Sequence, residues 1–403
     1  MKKLTVAAAA VLTMSLGVAS AAKITVWTDF QSGGELEWLQ IQAKAFQATP
    51  AAKGDTFEII SLPNGELRDK FIQSAPKGQG PDLAATIPHD QIGQMVTAGV
   101  LEPVQKYIGV TDNSKSSLDA FNFEGKIFGF PMFGEAVAVV YNKKLVPNFP
   151  KTWDQFIKTA QSLTKPEQQQ FGFLAPIGIQ YHDFGFFTSF GAYVFGKNAN
   201  GSLNKADIGL NSEGALKAAQ LINDLRFKYK LIPDGAEDGG LEKNLFTTGK
   251  LAMYLTGPWD MADVKKAGID YGIAVLPKPT GATGPWRPFI GIRGIVLNSY
   301  SKNKTGAAAF AKFLIQPTQQ VSLNKIGGRI PVSRSAVTQL KDDETTAGFG
   351  KAIAVGIPMP NIAAMGQVWD PWGNAIALTI KTANPDVKKL FDEAVRQIKA
   401  NIK

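Results

Sequence analysis

Two carboxylates and a pair of tryptophans are the side chains of this sequence with the most chemistry to offer. Asp90 stands in "PHDQ", where a helix begins after a strand, and Glu135 in the extended "FGEAV". Two acids flanking a glycosidic bond could act as general acid and base in its hydrolysis. The same two groups could instead accept hydrogen bonds from hydroxyls and break nothing. For Asp90 a third role is open, because an acid at the start of a helix is favoured by the positive end of the helix dipole.

Trp369 and Trp372 lie three apart in "VWDPWGNAI", beside Pro371 and Gly373, a composition poorly suited to a helix interior. With Trp27, Tyr181 and Trp259 they fall at the ends of expected elements or in Gly/Pro-rich turns. There, flat rings can face a ligand as readily as a core. Aromatic planes rimmed by donors and acceptors match the apolar C–H faces and hydroxyl edges of a pyranose. Other chemistry is scarce. His89 and His182 are the only histidines, too few for a His-rich metal site. No phosphate-cradling GxxxxGK[ST] and no GxSxG elbow occurs, and no cofactor site is read. The absence of cysteine excludes disulfides, thiolate metal sites and a cysteine nucleophile.

The elements that must carry these groups alternate. "KITVWTDF" (23–30) reads as a strand, and "GELEWLQIQAKAFQ" as a helix with Leu36, Leu39, Ala43 and Phe46 at helical spacing. "FEIISL" is strand-like again, "GELRDKFIQSA" places Leu67, Phe71 and Ala75 on one helical face, and "GPDLAAT" leads into a helix from "HDQ" to Gly99. Such alternation means βαβ units and a mostly parallel sheet. The stretch 126–144 is long and extended, broken by Pro131 and Gly134. A second α/β run follows, with Thr152 as a helix cap and Leu221, Leu225 and Tyr229 on one stripe. "WRPFIGIRGIVLN" is another extended connection, and the final helix is expected to start with Asn384 as cap and Pro385 at its first position. Two α/β lobes joined by extended strands are the expected organisation.

The 403 residues are 44% hydrophobic and 19% charged, with 40 Gly and 23 Pro, a globular α/β profile. Lys2 and Lys3, the apolar run 4–20 and Ala19-Ser20-Ala21 read as a secretory signal over 1–21, cleaved near Ala21/Ala22. The absence of a cysteine there removes a lipid tether, so a soluble periplasmic chain with no membrane insertion is expected. Formal charge is +9, or +7 without Lys2 and Lys3 (41 basic against 34 acidic residues), with lysines dispersed and no basic block. That is a solvated surface, not a nucleic-acid footprint.

From Val26 almost to its end the chain resembles the maltose/maltodextrin-binding proteins, sugar receptors of ABC importers within extracellular solute-binding family 1. The phrases carrying this are "GPDLAATIPHD", "GKIFGFPMFGEAVAVVYNKKLVPNFPKTW", "FTTGKLAMYLTGPW", "YGIAVLP" and "MPNIAAM…VW", in the family's order. The resemblance implies a periplasmic-binding-protein-like type II fold: two lobes, each with a central mixed sheet flanked by helices, joined by hinge strands. It places the N-terminal lobe at 22–133 and 293–340 and the C-terminal lobe at 134–292 and 341–403, with crossovers at about 130–137, 289–295 and 338–346. It also implies a binding protein, not an enzyme: a monomer that delivers maltose, maltotriose or a related oligosaccharide to transmembrane permease subunits.

By the same resemblance Asp90 and Glu135 accept sugar hydroxyls, Tyr181 is an aromatic of the second lobe, and Trp259 and Trp369 stack on glucose rings. Met359 makes an apolar contact. The chain departs from the family pattern at Gln91 and Gly373, where the family has arginine, and at Asp370, where it has tyrosine. A tryptophan expected at Thr86 or Ile87 is absent, and "WTDFQSG" lacks the aspartate–lysine pair of the family's first loop. Arg293 and Trp372 are read as replacements, and Gln91 as a contact in its own right. These departures leave trehalose, sucrose or another glucoside as the alternative ligand, and an exported glycoside hydrolase using Asp90 and Glu135 as the alternative function.

Overall fold

The short apolar runs assemble into two mixed sheets. The structure, a computed structural model, describes residues 21–31, 33–235 and 240–402; the expected signal segment therefore lies almost wholly outside the described residues. The first sheet has seven strands, in the order Ile330–Pro331, Phe130–Glu135, Phe289–Leu297, Leu83–Pro88, Lys23–Thr28 and Thr56–Ser61, with Ile357–Pro358 pairing with Phe289–Leu297. Lys23–Thr28 runs parallel to both its neighbours. Phe289–Leu297 runs antiparallel to Leu83–Pro88 and Phe130–Glu135. The second sheet orders Tyr271–Ala274, Ala138–Asn142, Leu251–Thr256 and Phe171–Leu174.

Both sheets are covered on two faces, which is why inner strands such as Leu83–Pro88, Phe130–Glu135 and Leu251–Thr256 are buried along nearly their whole length, whereas Lys23–Thr28 and Thr56–Ser61 alternate. On the first sheet, the helices Gly33–Gln47 and Lys304–Leu314 press Trp38, Leu39, Phe46 and Phe310 onto one face. Leu67, Phe71, Ile92 and Met95, from Asn64–Ser74 and Ile92–Thr97, cover the other. On the second sheet, the helices Trp153–Ser162, Gln180–Ser189, Glu213–Phe227, Trp369–Thr379 and Val387–Asn401 share one large core. Phe246, Met261, Val264 and Phe349 pack on its opposite face. Trp153–Ser162 shows the local logic. Thr152 accepts a 3.3 Å hydrogen bond from the Gln155 backbone N–H, and Trp153, Phe156, Ile157 and Ala160 turn one stripe inward.

Several boundaries differ from the expectations. Pro131 and Gly134 do not break their strand: Pro131 sits where the pairing with Phe289–Leu297 shifts register, an irregularity at which a missing N–H is tolerated. The chain instead leaves the first sheet at Ala136–Val137 and enters the second at Ala138, with both linking residues fully buried. "HDQ" forms a 3-10 turn, His89–Gln91, before the short helix Ile92–Thr97. The last helix starts at Val387, capped by Asp386 and not by Asn384, because the Asp386 carboxylate accepts from Lys389 N–H at 3.0 Å.

The segment "WDPWGNAIALT" is a helix, contrary to its composition. Pro371 falls in the first turn, where the backbone N–H groups have no intrahelical partner to lose. Among the described residues no helix is long and apolar enough to cross a membrane.

Candidate ligand-binding cleft

The parallel strands of the first sheet end on one side, and the residues that follow them face a common space. Asp29 follows Lys23–Thr28, Asn64 opens the helix after Thr56–Ser61, and Asp90 follows Leu83–Pro88. The crevice outside the carboxyl ends of such strands is where open α/β sheets hold ligands. Trp259 leaves the second sheet in the same way, just after Leu251–Thr256. The space is a cavity of about 640 Å³, lined from the first sheet by Asp29, Asn64, Asp90, Gln91, Glu135, Arg293 and Arg329. Gln180, Tyr181, His182, Trp259, Met359 and Trp369 line its other side.

Eight of the nine expected site residues therefore surround one cavity: Asp90, Gln91, Glu135, Tyr181, Trp259, Arg293, Met359 and Trp369. Trp372 does not. It is fully buried and lies behind Trp369, the two rings near parallel with centroids 6.2 Å apart. Phe187 and Phe289 meet it edge-on at 5.3 and 6.3 Å, so this indole backs the wall and is no second platform.

The floor of the cleft is a buried charge network. Arg329 donates to Glu35 and, at 3.0 Å, to Glu135. Arg293 pairs with Asp29, lies 3.6 Å from Glu135 and donates to Asn64 at 3.2 Å. Its Nε–H also reaches the Thr86 carbonyl at 2.8 Å. Thr86 has φ +73°, a left-handed conformation that a β-branched residue adopts only under strain. Thr86, one of the two positions where the family tryptophan is missing, thus holds Arg293 with its carbonyl and accepts from the Asp29 N–H with its hydroxyl at 3.2 Å. The cluster joins residues hundreds of positions apart, and each charge has a partner, as burial demands.

Asp90 behaves differently. Its Oδ2 accepts from Trp369 Nε1–H at 3.1 Å, while Oδ1 is buried with no protein partner. Burial pushes its carboxyl up to about 6, against the pull of Trp369 and, more weakly, of Arg293 and Arg68. His182 Nδ1 is likewise buried without a partner, and burial lowers that imidazole to about 4. An acceptor and a ring nitrogen remain uncommitted beside aromatic planes. Tyr181 lies 6.2 Å from Trp259 between ring centroids, and its hydroxyl donates to the Glu135 carbonyl at 3.3 Å.

His89 holds the frame together. Its Nδ1 accepts from Ile292 N–H at 3.0 Å, which makes Nε2 the protonated nitrogen that donates to the Met359 carbonyl, also at 3.0 Å. This imidazole ties the Asp90 turn to the strand carrying Arg293 and to the segment carrying Met359. Burial lowers it to about 4, so it is neutral.

Asp29, Asn64, Gln180, His182 and Arg329 were not singled out by sequence reasoning. Asp29 lies in the quoted "WTDFQSG" with no role read for it, and Asn64, Gln180, His182 and Arg329 lie outside the quoted phrases; only chain folding brings them to the cleft. A larger cavity of about 740 Å³ elsewhere is lined mainly by amide and apolar side chains such as Asn122, Phe123 and Ile362, with no indole. Among the described residues no cluster of His, Asp and Glu could hold a metal ion.

Comparison with known proteins is consistent with this geometry. Residues 32–321 match the family model described as bacterial extracellular solute-binding protein. A solved structure of the Thermus thermophilus maltotriose binding protein bound with maltotriose is 49% identical, with a TM-score of 0.89 over 94% of this chain and 100% of that one. The galactooligosaccharide-binding protein of Bacillus subtilis is 30% identical over 86% of this chain and 83% of its own length. The maltotriose-binding protein of Pyrococcus abyssi is 29% identical over 94% and 82% respectively. The fold of two α/β lobes is shared with the solved Thermus thermophilus structure, and the chain belongs to the bacterial extracellular solute-binding protein family.

Proposed function

We propose that this protein captures maltose or a longer maltodextrin between its two lobes and hands it, uncleaved, to an ABC importer. The observation that carries this reading is the cleft itself. Trp259, Trp369 and Tyr181 offer planes on one side, while the partnerless Asp90 Oδ1 offers an acceptor on the other. Pyranose rings require both at once. A sugar touching both sides favours the closed arrangement, and a swing from 1:99 to 99:1 needs about 5.5 kcal/mol of differential affinity. In this reading Asp90 and Glu135 accept hydroxyls, Gln91 and Arg293 complete the polar rim, Met359 makes an apolar contact, and Trp259 and Trp369 carry successive rings.

The lobes proposed are 22–133 with 293–340, and 134–292 with 341–403, bounds that the first-sheet strands Phe130–Glu135 and Phe289–Leu297 straddle. The chain acts as a monomer in the periplasm after cleavage near Ala22, and its closed form docks on membrane permease subunits. It is no enzyme: Glu135 is committed to two guanidinium groups and so is poorly placed to shuttle a proton. Incubation with a chromogenic glucoside should release no chromophore.

A thermal-shift panel of maltose, maltotriose, trehalose, sucrose, glucose and a galacto-oligosaccharide tests the ligand. A ligand at 100 times its Kd adds about 2.7 kcal/mol of stability. Maltotriose should raise the melting temperature and glucose should not. A shift confined to trehalose, sucrose or the galacto-oligosaccharide would replace the maltodextrin reading.

A further inference from the structure

Gly373 lies in the second turn of the helix Trp369–Thr379, where glycine is disfavoured relative to alanine. Its backbone is not left-handed, so conformational freedom does not explain it. Space does. A Cβ built there would stand 2.1 Å from Gln180 Nε2 and 2.7 Å from Gln180 Cδ. The Gln180 amide fills that room and donates to the main-chain carbonyl of Trp369.

Gln180 opens the helix Gln180–Ser189 and immediately precedes Tyr181, whose ring lines the same cavity. Its hydrogen bond therefore joins the starts of two helices, one carrying Tyr181 and the other Trp369. Trp369 is held at three points: its main chain by Gln180, its indole N–H by Asp90, and its rear face by Trp372. The first tether is the one that depends on an absent side chain.

We propose that Gln180 is a positioning residue for the Trp369 plane, and that Gly373 exists to admit it. The pair sets the separation of Trp369 from Tyr181, and with it which oligosaccharide geometry the cleft accepts. For its consequence in binding, this rests on the sugar-capture reading above; the placement of the indole does not. The atom that a Gly373 side chain would strike is the tip of a flexible amide, so Gly373→Ala should leave the fold intact while evicting Gln180.

The test compares the full-length mature protein with Gly373→Ala, Gln180→Ala and the double variant. Without sugar, acrylamide quenching of tryptophan fluorescence should rise in both single variants, and the rise should vanish in a Trp369→Phe background. With maltotriose in a calorimeter, each single variant should bind weaker by on the order of five- to tenfold, the worth of one hydrogen bond. The double variant should be no weaker than the poorer single one, because both substitutions remove the same tether. Gly373→Ala should melt no lower than wild type.

Quenching identical to wild type in both variants would overturn the proposal, as would a Gly373→Ala protein that binds maltotriose like wild type. Losses that multiply in the double variant would also overturn it, because the two substitutions would then act on separate interactions. If wild type itself ignores maltotriose, the sugar reading fails while the quenching arm still decides the tether.

Discussion

Trp369 Nε1–H points at Asp90 Oδ2 across 3.1 Å, joining a residue packed on the core of the second sheet to one in the turn that follows a strand of the first. The bond spans the cleft between the two halves. It also spends one lone-pair direction of Asp90 on an indole and leaves Oδ1 for another donor.

In the sugar-capture reading, that arrangement makes ligand binding depend on acidity. Asp90 is pushed up to about 6 from an ordinary 3.8 by burial. The native state thus holds this proton more tightly than the unfolded chain. Its contribution to stability is fully present below the unfolded value and is lost as pH rises through about 6, a penalty of at most about 3 kcal/mol for the carboxylate. Sugar binding runs the other way, because charge-assisted hydrogen bonds are roughly twice as strong as neutral ones. Maltotriose affinity measured by calorimetry should fall as pH drops from 7 to 5 in wild type and stay nearly level in Asp90→Asn.

The two neighbouring tryptophans should separate function from stability. Trp369→Ala removes a cavity-facing plane and should weaken maltotriose binding by about one to a few kcal/mol, as truncated aromatic anchors do. Trp372→Ala empties a fully buried site among Phe184, Phe187 and Phe289. It should cost about 3–5 kcal/mol in denaturant unfolding.

Arg329 is the keystone of the cleft floor. Replacing it with Met strands Glu35 and leaves Glu135 with Arg293 alone, 3.6 Å away, in a buried setting. Urea unfolding should report a loss of about 3–5 kcal/mol. The exposed pair Lys115–Asp119 offers the contrast: Lys115→Ala should change stability by less than about 0.5 kcal/mol.

His89 provides a second pH signature, opposite in sign to Asp90. Its folded value is depressed to about 4 from 6.5. Its contribution is therefore present above 6.5 and lost as pH falls toward 4, because only the unfolded chain readily takes the proton. His89→Gln should lower the melting temperature at pH 7.5, and the gap to wild type should narrow at pH 5.

Much of this molecule was legible before folding. Strand and helix alternation, the Thr152 cap and the inward stripes of Gly33–Gln47 and Glu213–Phe227 follow from local periodicity and side-chain hydrogen bonding, which need only neighbours in sequence. Asp90, Glu135, Trp259 and Trp369 could be named because they stand in recognisable phrases at element ends.

What only the tertiary structure decided is which groups meet. Trp369 and Trp372 are three apart on one helix, a spacing that leaves both on the same side. Packing of Phe187 and Phe289 against Trp372, and not periodicity, turned that one inward. Arg329 reaches Glu35 across 294 positions and Glu135 across 194, and a partnership of that span has no local signature. The same holds for the room at Gly373, which is defined by an amide 193 residues earlier in the chain and so becomes visible only when the two helices are packed.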